Sequence, residues 1–136
     1  MIHEEICTYE VAKLAEEKGF PQAFNYTRFK SGLDYYNHKR ELNGDVGDIL
    51  KLRIKHNPVP EEMKPITAPT QSLLQRWLRE EKGLILIIRF DPSEQMYDWG
   101  VFLKTQPIEF TASEEYFEKY ELALEDALKY ALSNLV

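Results

Sequence analysis

The stretch Leu84-Ile85-Leu86-Ile87-Ile88-Arg89-Phe90 limits what this chain can fold into more than any other. Its first five residues are the longest uninterrupted apolar run, rich in β-branched side chains and far short of the ~20 residues a membrane helix needs. Gly83 precedes it and Asp91-Pro92-Ser93 follows, so turn chemistry bounds it on both sides. It therefore reads as a strand, with Tyr97 to Lys104 returning as its antiparallel partner. The lack of alternation predicts burial on both faces and a central place in the sheet. Ile108-Glu109-Phe110 predicts a third, shorter strand.

Helical signals flank this hairpin. Thr67-Ala68-Pro69 opens a helix, with Thr67 as N-cap and Pro69 in the first turn, where its missing N–H costs nothing. Leu73, Leu74, Trp77 and Leu78 form its apolar stripe, and Gly83 ends it. The last helix is expected from an N-cap at Ser113, with Glu114 and Glu115 at the positive end of the dipole. Phe117, Tyr120, Leu124, Ala127 or Leu128, Ala131 and Leu135 recur every three to four residues, opposite Glu118, Glu121, Glu125 and Asp126. The order after residue 66 is α-β-β-(β)-α, and the expected class is α+β, an antiparallel sheet packed on one face by helices.

Before residue 66 the signals are shorter. Thr8 can cap a helix running from Glu10 to Lys18, with Val11, Leu14 and Ala15 on its buried face and Gly19-Phe20-Pro21 as a stop. Phe24 to Lys30 has strand composition, Ser31-Gly32 turns, and Tyr35 and Tyr36 fit a second strand. Asn43-Gly44-Asp45 and Gly47-Asp48 are turn chemistry. From Ile49 to His56, Leu50, Leu52 and Ile54 alternate with Lys51, Arg53 and Lys55, which predicts a half-buried strand with a basic outer face. Asn57-Pro58-Val59-Pro60, with Pro65 soon after, reads as an exposed connector. The expectation is one α+β domain over 1–136, with an internal seam at 57–66 between an α/β-hairpin part and the α-β-β-β-α part.

Composition sets further bounds. The 136 residues are 43% apolar and 29% charged, the balance of a globular protein rather than a disordered tail. The net charge of −6 argues against a general DNA-coating protein. It averages over acidic ends and a basic middle, since residues 28–56 carry seven basic against four acidic side chains. Cys7 is the single cysteine, so no internal disulfide can form, and the acidic start has no apolar leader core. A cytoplasmic protein is expected, without membrane association.

Catalytic and cofactor signatures are missing from the sequence. There is no Gly-rich phosphate loop, CxxC pair or HExxH, and His3, His38 and His56 are scattered. Asp91, Glu94 and Asp98 surround one turn but lack calcium-loop spacing. Cys7 beside a helix start has no histidine placed as its base, which favours a buried structural thiol. No nucleophile stands with a base and an orienting group. The expectation is a protein with no catalytic residues, metal or cofactor.

Two surfaces remain as candidates. Tyr26, Arg28, Lys30, Tyr35, Tyr36, Lys51, Arg53 and Lys55 mix aromatic and cationic side chains, as single-stranded nucleic acid requires. Charged strand faces in water, where edge lysines also discourage aggregation, account for the same pattern. For protein contact the candidates are Gln71, Gln75, Arg79 and Trp99. Trp99 is either a sticky outward patch or, the favoured placement, packed under the last helix.

The segment Thr67-Ala68-Pro69-Thr70-Gln71-Ser72-Leu73-Leu74-Gln75-Arg76-Trp77-Leu78-Arg79-Glu80 resembles the signature of a family of small uncharacterised bacterial proteins found on prophage-like and other mobile elements. The opening Thr8-Tyr9-Glu10-Val11-Ala12-Lys13-Leu14 and the closing Tyr120-Glu121-Leu122-Ala123-Leu124-Glu125-Asp126-Ala127-Leu128 are similar to it as well. The family carries no established activity, so the resemblance implies only an accessory protein of phage or mobile-element origin. The order of elements after residue 66 is also similar to the double-stranded-RNA-binding domain, whose last helix begins with basic residues. Here Ser113-Glu114-Glu115-Tyr116-Phe117-Glu118 has the wrong sign for phosphate. The strand-then-helix close also resembles small antitoxin-like domains. The expected function is non-enzymatic and works through an unidentified protein partner, with nucleic-acid binding by residues 26–55 as the alternative and self-association left open.

Overall fold

The computed structural model describes residues 5–22, 34–43 and 46–136. These divide into two compact units, one of residues 5–7 with 70–136, the other from 8 to 69. The class is α+β, with four helices and two antiparallel three-stranded sheets among the described residues. The stretch 57–66 lies inside the second unit. The strand expected over 24–30 and the turn at 31–32 fall outside the described residues.

In the C-terminal unit, helix α3 (Gln71–Glu81) leads into strands β4 (Leu84–Asp91), β5 (Met96–Leu103) and β6 (Gln106–Ala112), and helix α4 (Tyr120–Asn134) closes it. The strands lie in the order β4-β5-β6. β5 is therefore central and β4 is an edge, contrary to the reading of its apolar run. Leu84 pairs with Leu103, Leu86 with Val101 and Ile88 with Trp99. On that face Leu84, Leu86, Trp99 and Val101 are buried, as are Ala123, Leu124, Ala127, Leu128, Ala131 and Leu132 of α4. Alternation is hidden in β4 because its opposite face, Ile85 and Ile87, is apolar too.

The helix starts differ from expectation. Thr70, not Thr67, caps α3, its hydroxyl accepting from the Leu73 N–H at 3.2 Å. Thr67 belongs instead to a short strand, and its N–H is held by the Gln22 side chain at 2.8 Å. α4 begins at Tyr120 because residues 113–117 continue alongside β5, with Tyr97 and Phe117 exchanging backbone bonds of 2.8 Å. The Ser113 hydroxyl accepts the Trp99 N–H there, doing in the ladder what a backbone carbonyl would do. Gly100 sits under the Phe110 ring, so a Cβ at this position would strike it.

The second unit contains helix α1 (Tyr9–Glu17), strands β1 (Tyr35–Tyr36), β2 (Leu42–Asn43) and β3 (Ile66–Thr67), and helix α2 (Val46–Lys55). Thr8 caps α1, as its sequence implies. The helix ends with Phe20 N–H bonded to Ala15 O and Gly19 N–H to Glu16 O, a closure that needs the left-handed φ of +96° at Gly19. β1 pairs antiparallel with both β2 and β3.

The strand expected over 49–56 is helix α2. Its alternation coexists with a helical spacing, Ile49, Leu52, Arg53 and His56, and these are the residues that turn inward. Asp48 in the first turn and Arg53 and Lys55 in the last suit the helix dipole. The expected exposed connector is also more structured than its prolines suggested. It holds a turn of 3₁₀ helix at Glu61–Met63 and strand β3, and Pro65 is buried.

Two leucines of α4 offer a direct test of this packing. Leu128 is fully buried whereas Leu122 is 52% exposed. Leu128→Ala is expected to cost ~2–5 kcal/mol in urea unfolding, and Leu122→Ala less than ~1 kcal/mol.

Candidate functional site

The sequence-derived contact residues are mostly spent inside the fold. Gln71 is buried on α3, and its Nε2 donates to Glu121 O and Glu125 Oε1, both at 2.9 Å. Gln75 donates to Leu86 O at 3.2 Å. Trp99 is buried under α4 and donates through Nε1 to Asp126 Oδ2 at 2.9 Å. Of the four, Arg79 is exposed. The carboxylates Glu125 and Asp126, expected on a solvated helix face, are the acceptors that hold Gln71 and Trp99.

Among the described residues, the basic aromatic set does not form one strand face. Tyr26, Arg28 and Lys30 lie outside the described residues. Tyr35 is buried, and Tyr36 packs edge-on against Tyr9 at 5.5 Å, with the Arg40 guanidinium 5.0 Å from the Tyr9 ring. On α2, Lys51 and Lys55 share an exposed face four residues apart, while Arg53 lies about 200° round the helix from Lys51 and is half-buried. Helical geometry thus divides the cations that a strand would have aligned.

Two carboxylates of the acidic turn, Asp91 and Asp98, are internally engaged, while Glu94 is exposed. Asp91 Oδ1 accepts from the Ser93 N–H and hydroxyl at 2.9 and 2.7 Å. The Tyr116 hydroxyl donates to Asp91 Oδ2 at 3.0 Å. Those hydrogen bonds, from Ser93 first, hold the Asp91 carboxyl below its usual range. Asp98 makes a two-bond pair with Arg89, at 2.8 and 3.1 Å. Among the described residues no group of three His, Cys, Asp or Glu side chains could hold a metal ion. No helix among them is long and apolar enough to cross a membrane.

A concavity of about 170 Å³ occurs in the second unit, lined by Tyr9, Lys13, Glu16, His38, Glu61 and Lys64 among others. Four of its charges are paired, Lys13 with Glu16 at 3.3 Å and Lys64 with Glu61 at 2.7 Å, while Glu62 also lines it. Such a lining is largely neutralised within itself.

What stands out is the side of the C-terminal sheet turned away from the buried row. Ile85 pairs with Phe102, Ile87 with Gly100, and Phe102 with Phe110, which places these side chains on one face. Ile87 is 38% exposed, Phe110 44% and Ile108, in the same edge strand, 95%. The Arg89–Asp98 pair borders the apolar residues, and the Arg89 guanidinium lies 5.7 Å from the Phe110 ring. Sequence reasoning missed this surface because it took the non-alternating run in β4 as covered on both sides. Compared with family models, curated proteins and solved structures, the chain matches none.

Cys7 is buried, and burial pushes its thiol far above the ordinary range, with the Glu125 carboxylate adding to the shift and a backbone hydrogen bond opposing it. The unfolded thiol ionises at its ordinary value of about 8.5, so the folded state holds the proton that the unfolded chain releases. This contribution to stability is fully present below that value and is lost as pH rises from there toward the folded pKa. Unfolding free energy is therefore expected to fall above pH ~8.5, and Cys7→Ala to flatten that alkaline slope, measured by urea titration at stepped pH.

Proposed function

We propose that this chain is a non-enzymatic accessory protein that acts by protein–protein contact through the outward face of its C-terminal sheet. One observation carries the reading: a row of aliphatic and aromatic side chains, Ile85, Ile87, Phe102 and Phe110, on the sheet face opposite the helices. Contiguous apolar surface rimmed by a polar pair is the composition of a protein interface, in which aromatic and aliphatic residues form the centre and charges the rim. The Arg89–Asp98 pair supplies such a rim on one side.

The neighbouring chemistry supports the same direction. The Asp91 and Asp98 carboxylates of the acidic turn are occupied by Ser93, Tyr116 and Arg89, and the Cys7 thiol is buried and held protonated. A buried thiol of raised pKa is a poor nucleophile, since the thiolate is the reactive form.

Site-specific photocrosslinking tests the reading. A benzophenone side chain replacing Ile87 is expected to capture polypeptide in cells of the native host. The same group replacing Arg76, on the exposed side of α3, is expected to capture far less. Equal capture at both positions, or none at position 87, would overturn the proposal.

A further inference from the structure

The two edges of the C-terminal sheet differ. Lys104 N–H bonds to Gly83 O at 2.7 Å, and this sets the phase of the antiparallel ladder: residues 85, 87, 89 and 91 of β4 bond toward β5, whereas 84, 86, 88 and 90 point away from it. On that outward side the Leu86 carbonyl is occupied by the Gln75 side chain, delivered by the helix that packs on the strand. The β4 edge is thus blocked at its middle, a device that keeps a long apolar strand from recruiting another.

Among the described residues, β6 carries no such block over its last positions. Ser113 N–H bonds to Trp99 O at 2.9 Å, so Thr111 bonds toward β5 and Phe110 and Ala112 turn their N–H and C=O groups outward. An irregularity in register distorts the strand before Phe110, where Pro107 also lies, but the pairing from Phe110 to Ala112 is regular. Phe110, Thr111 and Ala112 are all exposed.

We infer that β6 is a self-pairing edge, and that two copies of this chain join antiparallel through Phe110–Ala112 into a continuous six-stranded sheet. An outward row of alternating donors and acceptors is matched by another strand. An antiparallel pair about a two-fold axis lets each copy supply the same patch to the other. The register that uses both outward residues of each copy sets Phe110 opposite Ala112, with the two Thr111 side chains facing each other across the axis. Thr–Thr is a favourable cross-strand pair. Charge selects the orientation. Lys104 lies just before the strand, and Glu114 and Glu115 just after it, all exposed. Antiparallel pairing brings the basic flank of one copy toward the acidic flank of the other, whereas parallel pairing would set like against like. The single charge within the strand, Glu109, falls opposite Ser113 rather than opposite itself. This inference rests on the reading that the sheet serves protein contact, and names a second copy as its partner.

Charge exchange at the axis tests it on the full chain by sedimentation velocity. The wild type is expected to show a concentration-dependent dimer. Thr111→Lys and Thr111→Glu, each placing like charges across the axis, are each expected to weaken dimerisation at least tenfold, and an equimolar mixture of the two to restore a heterodimer. Ala112→Pro gives an independent check, because it deletes an outward N–H while the bonds to β5 run through Thr111 and Ser113. Circular dichroism confirms that each variant is folded. A wild type that stays monomeric to ~1 mM, a dimer indifferent to Thr111→Lys, or a mixture that does not reassociate would overturn the inference. Should it fall while position 87 still captures polypeptide, the contact reading stands with another partner. Should both fail, both readings are wrong.

Discussion

The C-terminal unit depends on the fit between one face of its sheet and one face of α4. Leu84, Leu86, Trp99 and Val101 provide the sheet side, and Ala123, Ala127 and Ala131 with Leu124, Leu128 and Leu132 the helix side. Alanine every fourth residue lets the helix backbone approach closely, while the adjoining leucines fill the space that remains. Burial on this scale stabilises by roughly 1.5–3 kcal/mol for each large side chain taken from water. Two polar tethers fix the rotation of α4 about its axis: Gln71 to Glu121 O and Glu125, and Trp99 to Asp126. Turning α4 by one residue would move Glu125 and Asp126 away from both donors, leaving buried polar groups without partners at a cost of ~1–3 kcal/mol each. Apolar packing supplies the bulk of the stability here, and the tethers select one arrangement from several of similar hydrophobic content.

A sheet covered on one face by helices has a second face to account for. In most antiparallel sheets that face is polar, and the strands alternate visibly. Here Ile85, Ile87, Phe102 and Phe110 occupy it instead, and Gly100 leaves room for the Phe110 ring against the central strand. The apolar outer face therefore has its own packing, with Phe102 and Phe110 rings 6.4 Å apart. Edge and face are handled together. A side chain closes the edge at β4, whereas among the described residues none closes the regular end of β6 beside the apolar face.

Features governed by local chemistry were legible in the sequence. The Thr8 cap, the stop at Gly19, the β4–β5 hairpin and the periodicity of α4 each follow from side chains within a few residues of one another. Features settled by distant partners were not. The run from Ile49 to Lys55 fits both a two-residue and a 3.6-residue period, and alternation alone does not choose between them. Gln71 reads as a surface amide until α4 brings Glu125 to it, fifty-four positions along the chain. Ser113 has the composition of an N-cap, yet its hydroxyl is drawn into the ladder by Trp99. The apolar outer face was concealed for a related reason. Hydrophobicity reports what a side chain would prefer, and a strand made of isoleucine and leucine on both sides gives no sign of which side lacks cover.

Electrostatics leads to the same surface by elimination of alternatives. A net charge of −6 suggests an acidic exterior, but several carboxylates of the C-terminal unit act inside it as acceptors. Glu125 takes an amide from Gln71, Asp126 the indole N–H of Trp99, Asp98 the guanidinium of Arg89, and Asp91 the hydroxyls of Ser93 and Tyr116. A carboxylate already accepting strong hydrogen bonds gives up little to a new partner, because each new contact must replace one it has. On α2, helical geometry turns Arg53 away from Lys51 and Lys55, which leaves a phosphate chain a smaller cluster of cations than a strand face would offer. With those carboxylates engaged, a distinct preference left on the C-terminal unit is hydrophobic and directional. It consists of aromatic and aliphatic side chains on the outer sheet face, continuous with a strand edge whose backbone groups have a defined geometry. That combination is the physical basis on which a polypeptide partner is proposed for this face.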